Sequence, residues 1–410
     1  MTNTTQRTVS ERAPDSGHLK VVLVHGYYQQ AGGEDQVFAA ESELLEAQGH
    51  QVLRYTVHNE RIERMSPLSL AGATVWHRSS YRDLRALVRR EQPDLVHFHN
   101  TFPLISPAGY YAAKAEGRPV VQSLHNYRLL CPNALFFRDG HACEDCRGRL
   151  VPWPGVLHAC YRGSRPASGA VAAMITTHHA LQTWTRMVDT YISLTGFARR
   201  KFIQGGLPAE KIVVKPNFIH PDPGLGEGRG NYALFVGRLS VEKGIDDLLA
   251  AWERLGDRVV LKIVGDGPLA DRVARATRKL GGVEWLGRQP RDRVLALMKE
   301  AAMLVFPSVC YEGFPLVIAE AFAVGLPVVA SDLGSAASLV EPGRTGLHFR
   351  SEDAEDLADK VGLTLANRGT LAGMRRAARR EFEARYTSEQ NYRQLLGIYG
   401  SVAGEAATRA

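Results

Sequence analysis

Short apolar runs alternate with helix-length segments along this chain, and they do so in two separate sets. The first set holds LKVVLVHG (19–26), QVLRYTV (51–57), DLVHFHN (94–100), PVVQSLHN (119–126) and TYISLT (190–195). The second holds ALFVGRL (233–239), VVLKIVGDG (259–267), VEWLGR (283–288), MLVFPS (303–308) and PVVASD (327–332). Most of these runs are apolar on both faces, as strands covered by helices on each side must be. Parallel strands need crossovers, and helical ones fit between these runs, at about 36–48, 167–188, 198–204, 243–254, 268–280, 290–300 and 315–324. The expected architecture is α/β, with two doubly wound Rossmann-like domains.

The two sets are separated by KIVVKPNFIHPDPGLGEGRGN, rich in Pro and Gly from Lys211 onward and read as a linker. The expected division is a loose tail over 1–18, a first domain over 19–214 with an insertion at 127–165, a second domain over 215–387 and a final helix over 388–410. A chain of 410 residues with 45% hydrophobic and 23% charged content supports two ordinary cores. The net charge of +7 is mostly spread over helix faces, as in Arg82, Arg85, Arg89 and Arg90, whose other reading is contact with lipid phosphates. The basic residues are scattered and no aromatic-basic stripe accompanies them, so no nucleic-acid partner is expected. Residues 1–18 lack the apolar stretch of a signal peptide and no run reaches membrane-spanning length. The expected location is cytoplasmic, with room for peripheral contact at the inner face of the plasma membrane.

Chemistry concentrates at the strand ends. In MLVFPSVCYEGFPLVIAEAFAVGLPVVASD (303–332), the strand is followed by a loop with Glu312 and Gly313 and a helix expected to open at Pro315 and to carry Glu320. Two carboxylates thus flank a helix N-terminus, whose free N–H groups favour a phosphate. A molecule with a diphosphate in the middle and hydroxyls at both ends suits that layout. In VGRLSVEKG, Arg238 ends a strand and Lys243 follows five residues later, a guanidinium fork and an ammonium suited to clamping a diphosphate. In VGDGP, Gly265 and Gly267 let backbone come close to a ligand, and Asp266 is placed to cap the next helix. Early in the chain Gly32 and Gly33 form a loop, with Asp35 expected to cap the helix after it.

These pieces in this order resemble the retaining nucleotide-sugar glycosyltransferases of family 4, which have the GT-B fold. The resemblance covers nearly the whole chain from Leu19 and is most specific over 307–332. It implies transfer of a hexosyl group from a nucleotide-diphosphate sugar, with UDP or GDP as the nucleotide, to a saccharide, a lipid-linked saccharide or a small-molecule hydroxyl. In that reading Glu312 holds donor-sugar hydroxyls, and the backbone of Gly313, Phe314, Pro315 and Leu316 meets the distal phosphate. Glu320 binds the ribose, while Arg238 and Lys243 neutralise the leaving diphosphate. His125 in SLHNYR sits near the reacting carbon, Gly32 and Gly33 close over the donor, and the last helix returns to the first domain. No Asp-x-Asp pattern stands in a suitable loop, so no catalytic cofactor is expected and the leaving phosphate itself accepts the acceptor's proton on the same face. One departure is LGSAASLV, where Ala337 and Ser338 replace the Pro-Glu usual in the family. A nucleotide-sugar epimerase of similar double-Rossmann architecture is the alternative; VGRLSVEKG and the Glu312–Glu320 pair argue against it.

The insertion at 127–165 carries four of the five cysteines. Cys131, Cys143, Cys146 and Cys160 are separated by 11, 2 and 13 residues, and the two-residue gap lets one pair of thiolates share a tetrahedral ion. Structural zinc and four reduced thiols are both consistent with that spacing. Cys310 reads as a packed thiol beside the donor loop. The oligomeric state is not legible.

Overall fold

The computed structural model describes residues 17–29 and 32–407; the expected tail lies outside them except for its last two residues. Two six-stranded sheets carry the fold, as the two sets of apolar runs require. The first has β1 (Lys20–Tyr27), β2 (Gln51–His58), β3 (Leu95–Asn100), β4 (Val120–Leu124), β7 (Thr190–Ser193) and β8 (Ile212–Val214), in the order β2-β1-β3-β4-β7-β8. Between β4 and β7 the insertion adds a two-stranded hairpin, β5 (Phe137–Arg138) and β6 (His141–Ala142), and a short helix, Trp153–Leu157. The second sheet has β9 (Tyr232–Val236), β10 (Val260–Val264), β11 (Val283–Trp285), β12 (Met303–Phe306), β13 (Val328–Ser331) and β14 (Gly346–Phe349), in the order β11-β10-β9-β12-β13-β14. Its pairs are parallel throughout.

By density of contacts the chain divides into two compact units. One gathers the residues up to Ser123, Gln182–Ile192 and those from Glu389 onward; the other gathers Leu124–Leu181 and Ser193–Ser388. The first unit is completed by the last helix, Ser388–Ala407, where Leu395, Ile398, Tyr399 and Val402 are buried at the i, i+3, i+4, i+7 spacing of one helix face. Tyr399 bonds His97 of β3 through its hydroxyl at 2.8 Å, and Tyr392 bonds His50 at 2.8 Å. The core of the second unit centres on Trp252, fully buried, whose indole N–H donates to the Val259 carbonyl at 2.8 Å. A buried indole is among the most costly side chains to truncate, at about 3–5 kcal/mol.

Several local expectations change. The linker begins as a strand, because Ile212, Val213 and Val214 form a β-branched run that pairs before the Pro-rich stretch starts. The helix expected over 167–188 is two, Arg165–Ala180 and Thr183–Arg186, broken where Gln182 turns left-handed at φ 55°. Gly32, not Asp35, is the N-cap of the helix Gly33–Ala47; Asp35 lies three residues in and accepts the Gly32 N–H at 2.8 Å. The helix after VGDGP begins at Ala270, and Asp266 bonds the Gly267 N–H instead of capping it. Pro315 is an N-cap, one residue before the helix Leu316–Ala323. The helix Gly334–Leu339 and β14 were not anticipated, since four-residue and six-residue elements leave little periodicity to read.

Candidate active site

In the second sheet the strand order reverses between β9 and β12, and open α/β sheets bind ligands in the crevice beyond the strand ends at such a point. The loops leaving those two strands carry Arg238, Lys243 and Glu312. After β9 the chain makes a short turn, Val241–Lys243, and Gly244 then takes a left-handed φ of 68° to start the helix Ile245–Leu255. A β-carbon on Gly244 would lie 1.9 Å from the Pro307 carbonyl oxygen, so only glycine lets the two loops meet. This apposition delivers Lys243 to Glu312: Nζ is 2.5 Å from Oε1. The same oxygen accepts the Ser308 hydroxyl at 2.8 Å. Burial works against the charged ammonium of Lys243, but Glu312, together with Cys310 and Glu242, outweighs it and holds the amine above its ordinary value. Arg238 is exposed, and among the described residues its guanidinium makes no hydrogen bond or ion pair; its carbonyl accepts the Ser240 N–H at 3.0 Å. A fixed anion-anchored lysine and an unengaged arginine thus stand at one sheet edge.

Gly313 follows, and a β-carbon there would lie 2.0 Å from the carbonyl oxygen of His125, one residue beyond β4. The Tyr127 hydroxyl donates to the Glu312 carbonyl at 3.3 Å and Ser335 donates to the Gly313 carbonyl at 3.2 Å, so the loop backbone is held from two directions. Phe314 is buried edge-on to Tyr386, with centroids 5.9 Å apart, and anchors the start of Leu316–Ala323. Glu320, one turn into that helix, lies 3.8 Å from Arg291. Burial raises its carboxyl above the ordinary range, and Arg291 offsets only part of this. Gly265 and Gly267 serve the neighbouring loop: β-carbons would fall 1.8 Å from the Gly237 oxygen and 2.6 Å from the Leu239 oxygen. Cys310 is buried beside the loop, its sulfur 3.6 Å from the Ser308 hydroxyl.

The chain next to Glu312 holds residues that sequence reasoning passed over. The Tyr311 hydroxyl donates to Glu144 Oε1 at 2.8 Å, and Lys201 bonds the same carboxylate at 2.6 Å while lying over the rings of Tyr311 and Phe197. Burial alone would raise the Glu144 carboxyl, but Lys201 and Tyr311 bring it below its ordinary value. Adjacency to Glu312 was the one signal for Tyr311; Glu144 gave none beyond its place between Cys143 and Cys146. Those cysteines, with Cys131 and Cys160, line one small cavity. Burial, followed by the neighbouring thiol Cys131, pushes Cys146 up to about 12.

Within the first unit, Gly32 and Gly33 open their helix, and Asp35 also meets His25 at 2.7 Å. Asn100, the last residue of β3, is buried, donating to the Gly26 carbonyl at 2.6 Å and accepting from the Phe102 N–H. Glu41, His97 and His99 cluster in the core with ligand-type atoms within 4.8 Å of one another, but both His97 nitrogens are already bonded, to Tyr399 and to Ser123. The helix Arg78–Glu91 shows Arg85 and Arg89 paired to Glu116, whose carboxyl their hydrogen bonds hold near 2. No helix among the described residues is long and apolar enough to cross a membrane.

Two family models match the chain, "Glycosyltransferase Family 4" over residues 31–223 and "Glycosyl transferases group 1" over 220–381. The chain belongs to glycosyltransferase family 4. Among family members, a glycogen synthase of Mycobacterium tuberculosis is 31% identical over 251 residues, covering 56% of this chain and 58% of the relative. A D-inositol 3-phosphate glycosyltransferase of Mycobacteroides abscessus is 38% identical over 317 residues, covering 75% and 66%. The chain thus spans a little over half the length of the first of these curated relatives. Anabaena Alr3699/HepE, solved in complex with UDP, superposes with a TM-score of 0.68 at 18% identity, covering 93% of this chain and 100% of that one. Sucrose-phosphate synthase from Thermosynechococcus elongatus reaches 0.70 at 16% identity, covering 95% and 100%. At that identity the likeness establishes the fold, which is GT-B.

Proposed function

We propose that this family 4 chain is a retaining hexosyltransferase that takes its sugar from a UDP- or GDP-linked donor, without a catalytic metal. The observation that carries this reading is the convergence of Lys243 on Glu312 beside the N-terminus of Leu316–Ala323, at the reversal of strand order. Cleaving the bond between sugar and diphosphate leaves negative charge on the departing oxygen. Preorganised cations and backbone N–H groups stabilise such charge without reorganising. Arg238, unengaged, turns to the diphosphate; Lys243 exchanges part of its contact with Glu312 for a phosphate oxygen. Gly313, Phe314 and Leu316 offer N–H groups to the distal phosphate, and Pro315, which has none, sets their direction. Glu312 accepts donor-sugar hydroxyls through Oε2, the oxygen that neither Lys243 nor Ser308 bonds. Glu320 takes the ribose hydroxyls. His125 lies at the reacting carbon. The departing phosphate accepts the proton of the incoming hydroxyl on the same face, which preserves the anomeric configuration.

That UDP and UDP-glucose occur in structures of the Anabaena neighbour supports a nucleotide-sugar donor here. The acceptor is a saccharide, lipid-linked saccharide or small-molecule hydroxyl, and the setting is cytoplasmic. A thermal-shift panel of UDP, GDP and their sugars identifies the donor, since a ligand bound at 100 times its Kd stabilises by about 2.7 kcal/mol. With that donor, Glu312→Ala and Arg238→Ala are each expected to lower kcat/KM by about 100-fold or more, as loss of one transition-state contact does. Near-normal transfer by both variants, or epimerisation of the donor without an acceptor, refutes the reading.

A further inference from the structure

The four cysteines of the insertion come from separate stretches, 12 residues to either side of the Cys143–Cys146 knuckle or more, yet all four line a single cavity of about 10 Å³. That is the room for one water-sized occupant. The cavity is built, not incidental. The Cys143 N–H donates to the Phe136 carbonyl at 2.7 Å and fixes the knuckle to the β5–β6 hairpin, while the Cys160 N–H donates to the Gly155 carbonyl at 2.9 Å. Gly155 itself is packed against Pro132, where a β-carbon would come within 2.7 Å, so the segment bearing Cys160 lies close on the segment bearing Cys131. Arg138 also lines the cavity. Zinc with four thiolates carries two net negative charges, and a guanidinium lining the cavity offsets at most one of them.

The knuckle has a second connection. Glu144, between Cys143 and Cys146, holds the Tyr311 hydroxyl at 2.8 Å and Lys201 at 2.6 Å, and Tyr311 is the residue before Glu312. Whatever fixes the knuckle therefore fixes the carboxylate on which the Glu312 loop leans.

We propose that Cys131, Cys143, Cys146 and Cys160 bind one zinc ion, and that the filled site positions the Glu312 loop through Glu144 and Tyr311. Binding displaces one proton from each thiol to solvent and draws the four sulfurs inward; Cys131 exchanges its 3.0 Å contact with Asn133 Oδ1 for the metal. Glu144 is a positioning residue, not a ligand. The metal site stands on the cavity alone; the link to the loop rests on the donor reading given above.

The test begins with the full-length protein purified under reducing conditions. Elemental analysis is expected to find one zinc per chain. Chelator-stripped protein should take up one Co²⁺ with the intense visible bands of tetrahedral thiolate ligation. Cys143→Ser and Cys160→Ser should lose the ion, and where either is insoluble the metal uptake of stripped wild-type chain decides the matter. Absence of zinc together with no Co²⁺ uptake by the reduced wild type, or undiminished metal in soluble cysteine variants, overturns the site. For the positioning role, Glu144→Gln should keep its zinc yet raise the donor KM about tenfold with kcat little changed, and stripping zinc from the wild type should do the same. An unaltered donor KM in both, with full zinc retained in Glu144→Gln, overturns the positioning role. If wild-type protein holds zinc but binds no nucleotide-sugar, the metal site survives and the donor reading fails.

Discussion

Glu320 shows how a single carboxyl links the site to the stability of the molecule. Its burial raises the folded-state value above that of the unfolded chain, so between the two the native state holds more protons. The sign follows directly: this contribution is complete below the unfolded value of about 4.3 and is lost as pH rises through the folded one. Glu320→Gln keeps the shape and removes the charge, so the variant is expected to melt higher than wild type above that window and nearly equal to it at low pH. Melting temperatures across pH 4–8 check this, and a gap that does not grow with pH counts against it. At this scale the sequence singled out candidate residues but not how they pair. Glu312 and Lys243 were legible because each stands just beyond a strand. Their 2.5 Å contact was not, because 69 residues separate them and the contact depends on which strands are neighbours.

At the level of elements, the loops beyond β9 and β12 are positioned by absent side chains. Gly244→Ala would place a methyl group 1.9 Å from the Pro307 oxygen at a left-handed φ, and Gly313→Ala one 2.0 Å from the His125 oxygen. Because carbonyls of packed backbone cannot swing aside, each should cost about 2–4 kcal/mol in chemical unfolding. Gly32→Ala, at φ −125° with open space around the new methyl, is the control and should cost about 1 kcal/mol or less. Equal costs at the three positions would show that the loops move apart easily. The elements themselves were largely readable, since ten apolar runs foretold ten of the strands in the two large sheets. Those missed or trimmed are short: β8 was hidden by the prolines after it and β14 by its length of four residues. Helix starts shifted by one to three residues wherever a glycine turn preceded them, because the turn's pairing with a neighbouring loop, not the helix, decides the boundary.

For the whole molecule, the telling feature is that the first unit is assembled from three distant pieces of chain. His97 and Tyr399, 302 positions apart, share a hydrogen bond in its core. Deleting residues 389–410 removes Leu395, Ile398, Tyr399 and Val402 from the buried face and leaves His97 without that partner. Four such side chains bury about 1.5–3 kcal/mol each, comparable with the stability of an ordinary domain. The truncated chain is therefore expected to show early proteolysis confined to the first unit, while the second still responds to nucleotide by thermal shift. Uniform resistance to protease would show that the last helix is dispensable. The doubly wound architecture of both sheets was legible in the repeated alternation of strand and helix. The return of the last helix came only from family resemblance, because nothing in an amphipathic stripe names the surface it covers.

The order of synthesis gives that last helix a further meaning. A ribosome delivers β1 to β4 first and Ser388–Ala407 long after, so the strands made earliest wait through most of translation for the helix that covers them. In that interval His97 and the apolar side chains around it are exposed to solvent and to other nascent chains. Chaperone demand should therefore fall on the oldest part of the polypeptide, and slowing the final stretch of translation should lower the yield of folded protein more than slowing the middle.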